Sequence, residues 1–394
     1  MSREVNVELV DRFGTPVGRL PPFTVREPWW QDVTEVVGRA RQRFGLEITV
    51  LRLLRASRPI PPGGSVTYLA EISGGGVDGS AQARSPDEPR RLAYARPGGP
   101  AATARWARAA LDRRGIELLR QRQFRTWNLS AIWQLTTSVG ELWLKEVPPI
   151  LSFESTLVVR LGAELDGPVP TAVHGCGTRF ILRHVDGFDC YGASAARRVE
   201  IASTIHQIHA GAARLIPGLL DEGLPDRRGE RALAGLEELS ALVPAVERHR
   251  EQLRETALDR LAWAERDGLP PVLLHGDLHC GNVRSTATGH VILDWSNAFL
   301  GHPAFDVVRL TEDLPPQQAG HVVRAWAELW RGASGRREIG RSVDLLRPVH
   351  FLLRAIVCAG YLTNFEESEH KYHRHNLDNY VRLLLSSQGF GIRD

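Results

Sequence analysis

The sequence predicts an α+β protein: a small α/β unit first, then a small β-rich lobe, then a larger helical lobe. Three observations carry this. Strand-like runs bounded by turn residues crowd residues 1–75 and 116–185. Apolar residues at helical spacing dominate the chain from about residue 195 onward. Among those helices, residues 270–295 hold two short apolar runs around a polar loop rich in His, Asp and Asn. A chain of 394 residues has room for two or three domains and an ample core.

Composition narrows the function classes. Hydrophobic residues make up 43%, which excludes overall disorder. The net charge is only +3, with 46 acidic residues interspersed among the basic ones, so no nucleic-acid footprint is expected. The four cysteines form no CxxC pair and suggest a reducing compartment. The first residues carry charges where a signal peptide needs an apolar core, and no uninterrupted apolar run approaches a membrane span. A soluble, cytoplasmic protein with no membrane or nucleic-acid partner is the expectation. Lysine is nearly absent: of 49 basic residues only Lys145 and Lys371 are lysines. Where arginine is otherwise used throughout, a retained lysine points to a place that wants a compact ammonium on a thin stem.

Residues 1–75 read as a small α/β module. Val5-Asn-Val-Glu-Leu-Val alternates as a strand, residues 32–44 place Val33, Val36, Val37, Ala40 and Phe44 at helical spacing, and Gly45 ends that helix. Residues 46–54 and 65–72 read as strands. The run Arg39-Ala-Arg-Gln-Arg-Phe-Gly-Leu46 faintly resembles the signature helix of Nudix hydrolases. Arg39, Gln42 and Arg43 stand where that family needs metal-binding glutamates, so the likeness implies a fold without the activity. Residues 73–89, rich in Gly, Ser, Asp and Pro, are expected to be a mobile linker. Pro100 then opens an Ala- and Arg-rich helix stopped by Gly115, so that residues 76–115 are linker and bridging helix.

The second part begins near Ile116. Residues 124–135 and 142–147 read as strands with a turn over 136–141, and a helix follows over 154–165. Residues 169–173 and 180–185 are expected strands, and residues 196–210 a helix. Residues 233–266 read as helix broken at Pro244. Further helices are expected around residues 317–330, 343–362 (with Pro348 a possible break) and 376–385.

The chemistry concentrates in Pro270-Pro-Val-Leu-Leu-His-Gly-Asp-Leu-His-Cys-Gly-Asn-Val283 and Val291-Ile-Leu-Asp-Trp295. The simplest geometry makes residues 272–274 and 291–293 two strands flanking a tight connection, with Asp277, Asn282 and Asp294 at one end. Two carboxylates and an amide are hard oxygen ligands suited to magnesium that keeps part of its water and bridges phosphates. A zinc site from His275, Asp277 and His279 is a rival reading of the shorter pattern.

His275-Gly-Asp-Leu-His279 with Asn282, followed by Ile292-Leu-Asp-Trp295, resembles the aminoglycoside phosphotransferase and choline kinase family. Its fold is that of protein kinases, two-lobed, and the resemblance covers about residues 116–385, with an N-lobe over 116–185 and a C-lobe over 186–394. It implies that Asp277 receives the acceptor hydroxyl proton and that Asn282 and Asp294 hold Mg2+. It implies that Lys145, in the strand Trp143-Leu-Lys-Glu146, binds ATP phosphates and pairs with Glu154, Glu164 being the alternative. Residues Arg183, His184 and Val185 would line the purine pocket at the hinge. No Gly-rich loop is present, so Asn128 and Ser130, at an earlier hairpin turn, are assigned to phosphate contact, and GTP stays open beside ATP. His209 is expected to be a core histidine, and Asp306 to brace the catalytic loop. Glu366, Glu367 and Glu369 read as a solvated acidic loop or an attractor of a cationic acceptor.

The expected activity is ATP-dependent phosphoryl transfer to a hydroxyl of a small molecule, plausibly an aminoglycoside or another antibiotic. The alternatives are a non-catalytic nucleotide-binding scaffold and a metal-dependent hydrolase.

Overall fold

The computed structural model describes residues 2–72, 88–334 and 339–389. The expected mobile linker over 73–89 therefore lies outside the described residues as far as 87. The chain forms two compact units: residues 1–150 with 178–184 and 361–375, and residues 151–177 with 185–360 and 376–394.

The first unit opens with strands β1 (Arg3–Val10) and β2 (Pro16–Val25), helix α1 (Thr34–Phe44), and strands β3 (Ile48–Ala56) and β4 (Gly64–Ile72). The sheet order is β2-β1-β4-β3, with β1 and β4 parallel and the outer pairs antiparallel. Alternation drives it: Val5 and Val7, Val66 and Tyr68, and Val50 and Leu53 point into one core with Val36 and Ala40 of α1 and the fully buried Trp30. Gly45 caps α1 in the left-handed conformation, as the sequence indicates.

Helix α2 (Gly99–Asp112) and strands β5 (Leu118–Trp127), β6 (Ser130–Thr137) and β7 (Gly140–Glu146) follow. The expected strand over 124–135 is thus two strands, since the chain turns at residues 128–129; the next turn needs only residues 138–139. After α3 (Phe153–Glu164) and β8 (Ala172–Cys176), which belong to the second unit, β9 (Arg179–Arg183) pairs antiparallel with β7.

Residues 2–72 fall in the same compact unit as β5, β6 and β7. Gln123 of β5, 3% exposed, accepts from Val50 N at 2.9 Å and donates to Val50 O at 2.7 Å. Arg125 pairs with Asp32 at 2.8 Å, and Trp127 and Tyr372 join the core of the first sheet. A backbone group buried beside a neighbouring sheet has to be satisfied, and the Gln123 amide does so in both directions.

In the second unit come β10 (Phe188–Asp189) and α4 (Ala195–Ala212), whose buried face is Ile201, Ile205 and Ile208. The expected helix over 233–266 is three pieces beyond α5 (Ile216–Asp221): α6 (Leu236–Leu242), α7 (Pro244–Glu247) and α8 (Arg250–Ala264). Pro244 opens α7 at its first turn, where a missing N–H costs nothing. Then follow β11 (Val272–Leu274), β12 (Val283–Thr286), β13 (Gly289–Ile292), β14 (Phe299–Gly301), α9 (Ala304–Leu310), α10 (Pro316–Leu329), α11 (Arg331–Ser334), α12 (Arg341–Asn364) and α13 (Arg374–Ser387).

Pro348 does not break α12. An interior proline costs about 3 kcal/mol, which a long, largely buried helix offsets by packing. By length and composition α12 meets the criterion for a membrane span, yet 72% of its apolar stretch is buried inside the protein, as befits a core helix.

Candidate active site

The loop after β11 is held from below by one buried carboxylate. Asp306, on α9 and 0% exposed, accepts from His275 N and Gly276 N, each at 3.0 Å, and lies 3.2 Å from His209 Nε2. Its expected bracing role is what the geometry shows, and His209 is a core histidine serving that brace. Gly276 has φ +78°, and a Cβ there would lie 2.0 Å from Asn297 O, so no other residue fits without moving the backbone.

Strand pairing differs from the simplest expectation. Residues 272–274 pair antiparallel with β14, not with residues 291–293, while β12 and β13 form the hairpin. Hydrogen bonds to the backbone nevertheless fasten these segments to one another. Leu293 N donates to Asn282 O at 2.8 Å, so the residue before Asp294 is fastened to Asn282. Asn282 Nδ2 donates to Asp277 O at 3.1 Å, tying the amide back to the loop start. His275, fully buried, joins the two: Nε2 faces Leu293 O at 2.8 Å and Nδ1 accepts from Asp277 N at 3.2 Å.

Both ring nitrogens of His275 are thus used by backbone groups, which removes it as a zinc ligand. Among the described residues no cluster of three or more His, Cys, Asp or Glu is arranged to hold a metal ion. The zinc reading, and with it the hydrolase that rested on it, has no footing here.

Asp294 sits at φ +64°, the one non-glycine residue in the left-handed region among those described. That conformation costs about 1 kcal/mol or more and persists because its neighbours dictate it: Trp295, buried, donates Nε1 to Ile292 O at 2.9 Å and packs on His275. The carboxylate itself is exposed, and Oδ1 accepts from Ser296 Oγ at 3.0 Å.

Asp277 is surrounded by cations that sequence reasoning missed. Its Oδ1 accepts from Arg309 Nε at 2.7 Å and lies 3.3 Å from an Arg354 guanidinium nitrogen. The other oxygen, Oδ2, lies 4.0 Å from His279 Nε2. Burial alone would raise the Asp277 pKa, but Arg354 and Arg309, helped by His279, hold it far below the usual carboxylate range. Burial depresses the His279 pKa against the pull of Asp277, so this ring stays neutral near pH 7. Arg309 also reaches Glu312 at 3.3 Å, and His350 meets the same carboxylate at 3.3 Å. Arg354 lies over the Tyr380 ring, 5.5 Å from its centroid. A usable signal existed: Arg354 is a charge set in an otherwise apolar run. Arg309 had none, because arginine is everywhere in this chain.

The remaining expected residues separate into those placed as described and those turned elsewhere. Lys145 lies in β7 opposite Ile132 and Phe180, its ammonium 5.8 Å from the Phe180 ring centroid. Glu154 is in the first turn of α3 and only 2% exposed, whereas Glu164 ends that helix in an ion pair with Arg214. The chain passes from the first unit to the second between His184 and Val185. There Arg183 is exposed and His184 Nδ1 accepts from Trp143 Nε1 at 2.9 Å.

Asn128 and Ser130, expected to contact phosphate, sit inside the first unit. Both are buried, Asn128 Oδ1 bonding His373 Nε2 at 2.8 Å and Ser130 Oγ accepting from Trp127 Nε1 at 3.2 Å. Their side chains tie the turn inward, away from solvent. Glu366 and Glu369 are corrected: Glu366 pairs with Arg52 at 3.2 Å and Arg91 at 2.8 Å inside the first unit, and Glu369 is buried. Only Glu367 of the three is exposed.

Residues 130–339 match the phosphotransferase enzyme family, over a range that includes Asp277, Asn282, Asp294 and Asp306. The match leaves residues 1–75 outside it, and nothing in it supports the Nudix likeness. No curated protein matches the chain. A choline/ethanolamine kinase family protein from Mesorhizobium loti superposes with TM-score 0.51 at 16% identity, covering 73% of this chain and 96% of that one. A point variant of aminoglycoside 2'-phosphotransferase-IIIa in complex with GDP gives TM-score 0.50 at 16% identity, covering 73% and 97%. These likenesses speak to the fold, a protein-kinase-like one with a β-sheet lobe and a helical lobe. With more than half of its length in the match, and the loop just described within it, the chain belongs to the phosphotransferase enzyme family and is a small-molecule phosphotransferase.

Proposed function

We propose that this phosphotransferase moves the terminal phosphoryl group of ATP to a hydroxyl of a small molecule, with Mg2+ as the required cation. The observation that carries it is the closure of one folded-back segment: Leu293 N to Asn282 O at 2.8 Å, and Asn282 Nδ2 to Asp277 O at 3.1 Å. That closure leaves Asn282 Oδ1 and the exposed Asp294 carboxylate as hard oxygen donors, which suit magnesium. A bound magnesium ion supplies neutralisation of the phosphate oxygens.

Asp277 keeps its charge in this environment, and Arg309 and Arg354 hold Oδ1 in place. Oδ2 then receives the acceptor hydroxyl. The acceptor oxygen bonds to phosphorus as the bridging P–O bond breaks, the nucleoside diphosphate leaves with the electron pair, and the hydroxyl proton passes to Oδ2. A carboxylate so strongly acidified is a weak base, so Asp277 contributes mainly by orienting the hydroxyl. That is in keeping with a loose transition state in which positioning dominates. On the family resemblance, Lys145 is assigned to the nucleotide phosphates and residues 183–185 to the purine. The cytoplasm, with its reduced thiols and millimolar nucleotide, is the proposed compartment.

The test is an acceptor screen by mass spectrometry, with ATP and separately GTP, with and without magnesium. The expected result is nucleotide- and magnesium-dependent phosphate gain by one acceptor class, absent with Asp294→Asn. Nucleotide binding without any phosphoryl transfer, to acceptor or water, would instead identify a scaffold.

A further inference from the structure

We propose that His279 holds the acceptor hydroxyl together with Asp277, its Nε2–H donating to the oxygen whose own proton points at Asp277 Oδ2. The proposal rests on the phosphotransferase reading above and adds a second residue to the acceptor site. Hydrogen bonds on both sides of the Cα fix the ring. His279 stands just before the single helical turn Cys280–Asn282, and its Nδ1 accepts from Gly281 N at 3.0 Å. Its backbone carbonyl accepts from Asn282 N at 2.9 Å. A Cβ on Gly281 would lie 2.8 Å from His279 Cε1 and 2.5 Å from Tyr191 Cε1, so glycine leaves room for both rings.

The bond to Gly281 decides where the ring proton sits. A ring nitrogen that accepts a backbone N–H carries no hydrogen, so neutral imidazole keeps its proton on Nε2. Burial favours that neutral ring over the pull of Asp277, in agreement. Nε2 lies 4.0 Å from Asp277 Oδ2, while Arg309 Nε and an Arg354 nitrogen approach Oδ1, at 2.7 and 3.3 Å. Four ångströms is too long for a direct hydrogen bond and suits one oxygen shared by the two atoms. An oxygen about 2.8 Å from each fits, its two bonds meeting near a right angle. The carboxylate only accepts and Nε2–H only donates, so the shared atom must do both. A hydroxyl or a water does. An ionised phosphoryl oxygen has no proton to give, and an ammonium has no lone pair to receive one.

The two contacts have different tasks. Oδ2 takes the hydroxyl proton. A hydroxyl held by that bond alone still turns about it, and donation from Nε2–H stops the rotation, so the remaining lone pair keeps one direction. Orientation of this kind counts for most where the transition state is loose. His279 is not the base: Nε2 is already protonated and Nδ1 is engaged by Gly281, so the ring keeps its proton throughout.

The experiment uses the full chain with ATP and magnesium, water serving as the acceptor probe, and separates the Nε2 donor from the bond to Gly281. His279→Asn keeps an oxygen for Gly281 N but is too short to reach the Nε2 position; His279→Gln brings an amide N–H there. ATP hydrolysis should fall about tenfold or more in kcat in His279→Asn and His279→Ala, and recover most of that loss in His279→Gln. KM for ATP and the affinity for ADP should stay as in the wild type in all three. Unchanged kcat throughout, equal loss in all three, or activity kept by Asn and lost in Gln overturns the proposal, the last assigning His279 to holding the turn. Nitrogen-15 NMR of the histidine-labelled wild type gives a readout without turnover: a protonated Nε2 and a bare Nδ1 are expected at pH 7, and the other tautomer or a charged ring overturns the proposal. A wild type that transfers phosphate neither to water nor to any acceptor of the screen sinks the phosphotransferase reading and this proposal with it; normal transfer with the wrong order of variants sinks this proposal alone.

Discussion

Replacing Arg309 with methionine tests the clamp on Asp277 most directly. Its Nε lies 2.7 Å from Oδ1, and the Arg354 guanidinium 3.3 Å from the same atom. With an effective dielectric constant of about 20, the gross attractions are about 6 and 5 kcal/mol. Most of this is offset by the desolvation of groups that are each only 19% exposed, in Asp277 and in Arg309. Removing one partner of a buried pair costs about 3–5 kcal/mol when the other is left alone, and here Arg354 stays behind. The expected loss is therefore about 2–3 kcal/mol at pH 7, part of it from the lost contact with Glu312.

The pH dependence follows from the direction of the Asp277 shift. A carboxylate with a depressed folded-state pKa contributes its stability fully above the unfolded value near 4, and loses it as pH falls toward the folded one. The gap between wild type and Arg309→Met should thus be full at pH 5 to 7 and narrow in acid once Asp277 is protonated in the folded variant before it is in the wild type. Urea unfolding across that range measures it, repeated in an Asp277→Asn background, where the cost of losing Arg309 should drop by about 1.5 kcal/mol or more. A gap under about 0.5 kcal/mol at pH 7, or the same gap in the Asn background, would refute the clamp.

Asp294→Asn should abolish phosphate transfer while changing stability by no more than about 0.5 kcal/mol, because asparagine tolerates φ +64° and the side chain is exposed; ordinary kcat in this variant contradicts the ligand role. Gly276→Ala, whose methyl would lie 2.0 Å from Asn297 O at a positive φ, should cost about 2–3 kcal/mol in thermal unfolding and lower kcat by about a hundredfold as the loop shifts. Burial, with Glu366 adding to it, pushes the Glu369 pKa up to about 8. The folded state then holds a proton that the unfolded chain releases near pH 4.5, so stability should fall as pH rises from about 5 to 8. Glu369→Gln should flatten that slope and gain most at pH 8; an unchanged slope shows that Glu369 is ionised in the fold.

What the sequence by itself determined is local. Asp277, Asn282 and Asp294 lie close along the chain, on one loop and one tight hairpin whose hydrogen bonds run between near neighbours. The helices α2, α3, α4 and α10 were legible for the same reason, because capping and apolar spacing act within a few turns. Tertiary structure decided whatever depends on a distant partner. Residues 272–274 found β14, although residues 291–293 looked an equally good strand. Asn128 and Ser130 turned inward because His373 and Trp127 were there to bond them. Glu366 left solvent for Arg52 and Arg91, and Asp277 acquired Arg309 and Arg354 from two separate helices. Charges carry no periodicity that names their partner, and in a chain with almost no lysine every arginine looks alike. Only the packing of β11, α9 and α12 selects the two that clamp Asp277.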